Sequence, residues 1–318
     1  MEQKIYPIHF APLQGYTDAA YRNAHELVFG NIDTYYTPFV RLEKGDRFRV
    51  RELRDVEQEN NKVSHLVPQL IGGTPDEFRK IATMFIDKGH TEADINLGCP
   101  FPMLARRHKG AGILPYPDEV KSLLAVTQEF PQLKFSVKLR LGWESAEECL
   151  ALLPMLNDIP LRHITLHARL GKQQYTGETD LEAFDAFYQS CRHPLLFNGD
   201  LLTSQNIRDI TTRFPNLIGV MIGRGLLMNP ALATEYSIGK PFTSEEMLAK
   251  LRSFHSMLLD HYREHLQGDA QLLCKMKTLW EYLLPDIDKK IKKRIHKATK
   301  IEIYEGAAQE AFLTLLQN

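Results

Sequence analysis

Eight short apolar runs, rich in β-branched and aromatic residues, alternate with helix-like segments over the first three-quarters of the chain. They lie at 8–13 (IHFAPL), 33–40 (DTYYTPFV), 66–72 (LVPQLIG), 92–98 (EADINLG), 135–141 (FSVKLRL), 163–169 (HITLHAR), 195–200 (LLFNGD) and 219–225 (GVMIGRG). Between most of them sit helical patterns such as TPDEFRKIATMFIDKG at 74–89, which Thr74 and Glu77 open as a capping box and Gly89 stops. Strands alternating with helices predict parallel βα units, and a count of eight favours a closed (β/α)8 TIM barrel in the α/β class. An open, doubly wound sheet is the alternative architecture. The 318 residues suit one barrel of about 250 residues and a small appendage.

The pattern changes near Gly239 and Pro241. Beyond them the periodicity predicts helices at about 244–266, 270–284, 287–299 and 302–317, with Ser244 as N-cap and no strand. The expected organisation is residues 1–240 as a barrel domain and 241–318 as a small helical bundle. The four cysteines are scattered, with no ligand spacing, which argues against a disulfide framework or a metal site and fits reduced thiols. No run has the length of a signal peptide or a membrane span, so a cytoplasmic protein is expected. A net charge of −1 excludes a globally basic nucleic-acid binder but leaves room for a local basic patch.

In a barrel, functional groups gather at the C-terminal ends of the strands. Those ends carry Pro12 and Gln14, Arg41, Gln69, Asn96 and Cys99, Lys138 and Arg140, His167 and Arg169, Asn198 and Asp200, and Gly223 with Arg224. Polar groups in buried strands are costly unless satisfied, so their recurrence at nearly every end points to a shared ligand. FNGD and VMIGRG place glycine directly after the last two strands, where barrels often hold a phosphate, and Arg224 adds a bidentate donor. A tight turn with a surface arginine is the plainer reading. Lys138, between Val137 and Leu139, calls for an anion or a salt bridge, and His167 is either a satisfied core histidine or a contact to a flat heterocycle. Cys99, between Gly98 and Pro100, falls at the barrel mouth, where a thiol can act as general acid or as nucleophile.

Taken in order, APLQGYTDAAYR, PQLIG, DINLGCP followed by GAGIL, SVKLRLGW, LHAR with its downstream Gln, Tyr, Gly and Asp, FNGD and VMIGRG resemble the tRNA-dihydrouridine synthases. The resemblance runs from residue 10 to about 230, and the helical tail is similar to the family's second domain. It implies an FMN-dependent oxidoreductase that reduces the C5–C6 bond of D-loop uridines in tRNA. NADPH (or NADH) is the reductant, hydride goes to C6, and Cys99 protonates C5. By the same resemblance Pro12, Leu13 and Gln14 meet the isoalloxazine, Gln69 and Lys138 its polar edge, and His167 lies nearby. Asn198, Gly199, Asp200, Gly223 and Arg224 take the ribityl phosphate end, while Asn96, Arg41 and Arg140 approach the nucleotide.

The stretch ARRHKG after Cys99, with Arg106 and Arg107, is read either as a phosphate-contacting loop or as an ordinary solvated one, and Gly110 and Ala111 let it fold back on the barrel. In the tail, IDKKIKKRIHKATK holds six lysines and one arginine against one aspartate. Given a polyanionic substrate, Lys289, Lys290, Lys292 and Lys293, together with Lys275 and Lys277, are candidate tRNA contacts, and Trp280 is read as core. The chain departs from the resemblance at Arg169, Leu170 and Gly171, where a second arginine is usual; Lys172 is the candidate substitute. Leu13 stands for a more frequent methionine, a volume-conserving change. VRLEKG and LRLGWES look closest to the branch acting on uridine 16, with position 20 open. A monomer is expected, without metal or membrane. The competing readings are an FMN-dependent barrel reductase of a small molecule, like a dihydroorotate dehydrogenase or ene reductase, and a non-catalytic RNA-binding barrel.

Overall fold

The structure is a computed structural model that describes residues 4–316. Eight parallel strands form a ring: β1 Ile8–Phe10, β2 Thr34–Tyr36, β3 in two halves, Leu66–Val67 and Gln69–Leu70, β4 Glu92–Leu97, β5 Lys134–Gly142, β6 Ile164–Leu170, β7 Leu195–Asn198 and β8 Gly219–Ile222. Pro68 splits β3 because it has no N–H for the ladder. The first half pairs with β2 and the second with β4, while β8 pairs with β1 through Ile8 and Val220. Every strand therefore has two neighbours, and the closed TIM barrel is the architecture, not the open sheet. A short antiparallel hairpin, Leu42–Glu43 with Arg47–Phe48, follows β2.

Side chains alternate across the barrel wall, and the two faces differ sharply. Phe135, Val137, Leu139 and Leu141 of β5 are buried in the large core beneath the outer helices. The alternate residues Ser136, Lys138 and Arg140 face the barrel axis with Asp94 and Asn96 of β4 and Thr165, His167 and Arg169 of β6. Lower in the barrel, the Tyr36 hydroxyl lies 3.1 Å from His9 Nδ1 and 3.2 Å from His163 Nε2, contacts that cross the interior. A small apolar layer of Ala11, Tyr36, Val67 and Met221 stands apart from the main core. The polar residues of these strands are thus a lining, stacked in register. Asn96 is opposite Lys138, Arg140 opposite His167, and His167 opposite Asn198.

The outer helix Pro75–Asp87 starts where Thr74 accepts from the Glu77 N–H, and Gly89 beyond it has φ +79°. The expected capping box is only half formed, since the Glu77 carboxylate accepts from the Gly73 N–H and from Lys109. Beyond Gly239 every described element is helical: Ser244–His265, Gly268–Leu279, Lys289–Lys297, Ile301–Leu313 and a short final turn at Thr314–Leu316. The expected end of the last helix, at 317, lies outside the described residues. Thr243, not Ser244, is the N-cap, and with Glu246 it forms a complete capping box. Phe254 packs edge-to-face on Tyr21 and Phe29, joining the tail to the barrel's first helix, Ala19–Val28. Trp280 is fully buried, its indole N–H donating to the Tyr304 hydroxyl at 2.9 Å, so it is core.

Candidate active site

The C-terminal ends of the strands surround one open cleft with about 850 Å³ of atom-free space. Of the residues expected there, Pro12, Leu13, Gln14, Asn96, Cys99, Lys138, Arg140, His167, Asn198, Gly199, Asp200, Gly223 and Arg224 line it together. Lys138 Nζ donates to Asn198 Oδ1 (3.0 Å), and the Asn198 amide donates in turn to the Met221 carbonyl (2.7 Å). Burial lowers Lys138 to about 8, helped by neighbouring Arg140 and opposed by Asp94. Burial also holds His167 well below its ordinary value, with Arg140 and Lys138 adding to the effect, so the ring is neutral.

Gln69 lies under the cleft floor, wholly buried, in a directional chain of hydrogen bonds. Asp94 accepts from Ser136 Oγ (2.6 Å) and from Gln69 Nε2 (2.7 Å). Gln69 Oε1 accepts from Asn96 Nδ2 (2.8 Å), and Asn96 Oδ1 accepts from the N–H groups of Gly98 (3.0 Å) and Cys99 (2.8 Å). The carboxylate can only accept, which fixes the sense of both amides and hence the turn that carries Cys99.

Cys99 is half-buried on the cleft edge, packed on Phe39, Ile71 and Leu104. Desolvation raises its pKa, although the Phe101 backbone, Arg140, Lys138 and Arg41 oppose it, so the thiol is protonated at neutral pH. The loop beyond does fold back: Ala111 N–H donates to the Cys99 carbonyl (2.9 Å), and Gly110 at φ +61° lies so close that a Cβ would stand 2.6 Å from that oxygen. Within ARRHKG, Lys109 pairs with Glu77 and His108 with Glu119, whereas Arg106 and Arg107 are exposed. Arg41, at the edge of the hairpin, is half-buried, and its N–H donates to Glu52.

At the opposite end Asp200, in the left-handed region at φ 39°, is held by Arg169 and Arg224. Burial opposes ionisation, but the two guanidiniums win and keep its carboxyl below the usual range. Asp200 therefore orients two arginines; an anion would meet the arginines, not the carboxylate. Gly171 is explained by Trp143, whose ring would lie 2.3 Å from a Cβ there, and Lys172 turns to Glu144 (2.6 Å). Tyr175, which strand-end reasoning passed over, lies over the cleft with its ring 5.3 Å from the Arg140 guanidinium and 4.9 Å from that of Arg224. It sits in a loop, where only its place in the LHAR motif hints at it.

Outside the cleft lining, Lys289, Lys290 and Lys293 are exposed and Lys292 half-buried, on a helix that buries Ile291 and Ile295. Lys275 and Lys277 turn inward instead. Lys275 Nζ meets the Gly15 carbonyl and Asp18, and Lys277 Nζ the Ala298 carbonyl. The described residues contain no group of three His, Cys, Asp or Glu placed to hold a metal ion. Nor do they contain a helix long and apolar enough to cross a membrane.

The donor set fits a flat ring with an acceptor-rich edge, carrying a phosphate. A half-buried cation with only a neutral amide partner stands on the floor, apolar walls come from Ala11, Leu13, Phe39 and Met221, and Arg224 stands at the far end. A family model described as dihydrouridine synthase matches residues 9–310. The tRNA-dihydrouridine synthase B of Pasteurella multocida is 27% identical over 236 residues, 71% of this chain and 67% of its own length. That of Serratia marcescens is 26% identical over 279 residues, 85% of this chain and 81% of its own. Morphinone reductase superposes with a TM-score of 0.53 at 10% identity, over 74% of this chain and 86% of its own, a likeness of fold alone. The chain belongs to the dihydrouridine synthase family.

Proposed function

We propose that this chain reduces the C5–C6 bond of D-loop uridines in tRNA, with FMN held in the cleft and Cys99 as the proton donor. The observation that carries the reading is the Cys99 thiol on the edge of a cleft whose floor holds Lys138 and whose far end holds Arg224. As a member of its family the chain is an FMN-dependent tRNA-uridine oxidoreductase. When bound, FMN supplies the hydride, having been reduced by NADPH or NADH.

Lys138 would meet the electron-rich edge of the ring, and Pro12, Leu13 and Gln14 would wall it. Gln69 and His167 would support that edge. Asn198, Gly199, Gly223 and Arg224 would hold the phosphate end, with Asp200 and Arg169 keeping Arg224 in place. Asn96, Arg140 and Arg41 would receive the nucleotide. Desolvation keeps the Cys99 proton on sulfur until a base carrying developing carbanion character at C5 comes within reach. A uridine must leave its stack to do so, and the exposed Arg106 and Arg107 would meet its flanking phosphates.

The reading assigns residues 1–240 to FMN binding and catalysis and 241–318 to tRNA binding, through Lys289, Lys290, Lys292 and Lys293. VRLEKG and LRLGWES support uridine 16 as the target. A monomer in the cytoplasm completes it. Cys99→Ala tests the assignment: flavin and NADPH oxidation are retained, while dihydrouridine in tRNA, measured by mass spectrometry of nucleosides, falls by about 10²-fold or more. Unchanged dihydrouridine formation removes Cys99 from the role.

A further inference from the structure

We propose that Lys275, reaching over from the C-terminal helices, is a positioning residue that fixes the cofactor loop of the barrel. The inference rests on the FMN reading and adds a second task for the tail. The loop after β1 contributes Ala11, Pro12, Leu13 and Gln14 to the cleft. Its own bonds are few. The N–H groups of Tyr16 and Thr17 both donate to the Leu13 carbonyl (3.0 and 3.1 Å), and the Leu13 N–H donates to Thr17 Oγ1 (2.9 Å). At its apex Gly15 has φ +92°, and nothing stands within 4 Å of where a Cβ would be.

The tail closes this apex. Lys275 Nζ donates to the Gly15 carbonyl (2.8 Å) and to Asp18 Oδ2 (2.8 Å), and it lies 5.2 Å from the centre of the Tyr262 ring. Asp18 caps the first helix through the Tyr21 N–H (3.0 Å) and accepts from the Tyr262 hydroxyl (2.8 Å). A second tie runs from the Tyr16 hydroxyl to Glu281, with the Tyr282 ring edge-on to Tyr16 at 5.2 Å. The lysine is thus surrounded by a carbonyl, a carboxylate and an aromatic face, and its side chain is only 21% exposed. A phosphate would have to displace those partners, whereas exposed lysines on Lys289–Lys297 are available without rearrangement. Beyond the apex, Leu13 stands against Gly223, beside Arg224, so a loosened loop would open the wall on the phosphate side.

The test measures FMN release from the purified flavoprotein, by recovery of flavin fluorescence on dilution, beside tRNA affinity at saturating FMN. Lys275→Met keeps the aliphatic stem and removes the charge. Release is expected to quicken about tenfold, as for the loss of one charge-assisted hydrogen bond, with tRNA affinity changed less than about twofold. Lys275→Arg restores slow release, and Tyr16→Phe, which leaves Lys275 intact, quickens it in the same direction. Unaltered release with weakened tRNA binding makes Lys275 a tRNA contact and overturns the proposal, as does no change in either. Wild-type protein that holds no FMN at all overturns the cofactor reading first, and this proposal with it.

Discussion

Asp94 does not line the cleft, yet it decides which way two amides above it point. As an ion it only accepts, so Gln69 must offer it nitrogen, and Asn96 must then offer oxygen to the Cys99 turn. Burial raises its pKa to about 6, against the pull of Gln69, Ser136 and Lys138. Gln69→Leu removes the middle of this chain and leaves a buried acceptor and a buried donor unpaired. A loss of about 1–3 kcal/mol is expected in urea unfolding, and an unshifted midpoint would mean the chain contributes nothing. Lys138 was legible in the sequence because a lysine between Val137 and Leu139 needs a partner. Asp94 was not, because an acid early in an apolar run gives no sign of what will lie against it. Asp200 was legible as a site residue but not as a brace for arginines, which depends on Arg169 reaching it across 31 positions.

Among the elements, the strands were readable because short apolar, β-branched and aromatic runs alternate with helical patterns at a regular spacing. Boundaries were less so. Pro68 divides β3, and the cap of the first tail helix is Thr243, since its hydroxyl reaches the Glu246 N–H. The helix expected over 270–284 stops at Leu279, and Leu284, at φ 49°, turns the chain toward Lys289–Lys297. That last helix is held by Ile291 and Ile295 and presents its lysines outward. Replacing Lys289, Lys290, Lys292 and Lys293 by Gln should weaken tRNA binding. It should also flatten the dependence of log K on log salt by up to about 0.7–0.9 for each phosphate that is no longer neutralised. An unaltered slope, measured by filter binding over a salt series, would leave the helix as ordinary surface.

Across the whole molecule, a barrel with a polar axis places its chemistry at one mouth, and the tail packs beside that mouth through Phe254, Tyr262 and Lys275. Ring closure followed from the strand count. The contact between tail and cofactor loop did not, because it joins residues 260 positions apart. Tyr175 was hidden for a similar reason, being placed over the cleft by a loop and not by a strand. The central claim is that electrons leave this cleft for uridine in tRNA. Flavin reoxidation tests it most directly: the purified protein is reduced with NADPH in the absence of oxygen and then given tRNA from cells that lack dihydrouridine. The flavin should reoxidise as dihydrouridine appears in the tRNA. A flavin that stays reduced with tRNA, yet is reoxidised by a small enone or by orotate, would contradict the account and make the barrel a small-molecule reductase.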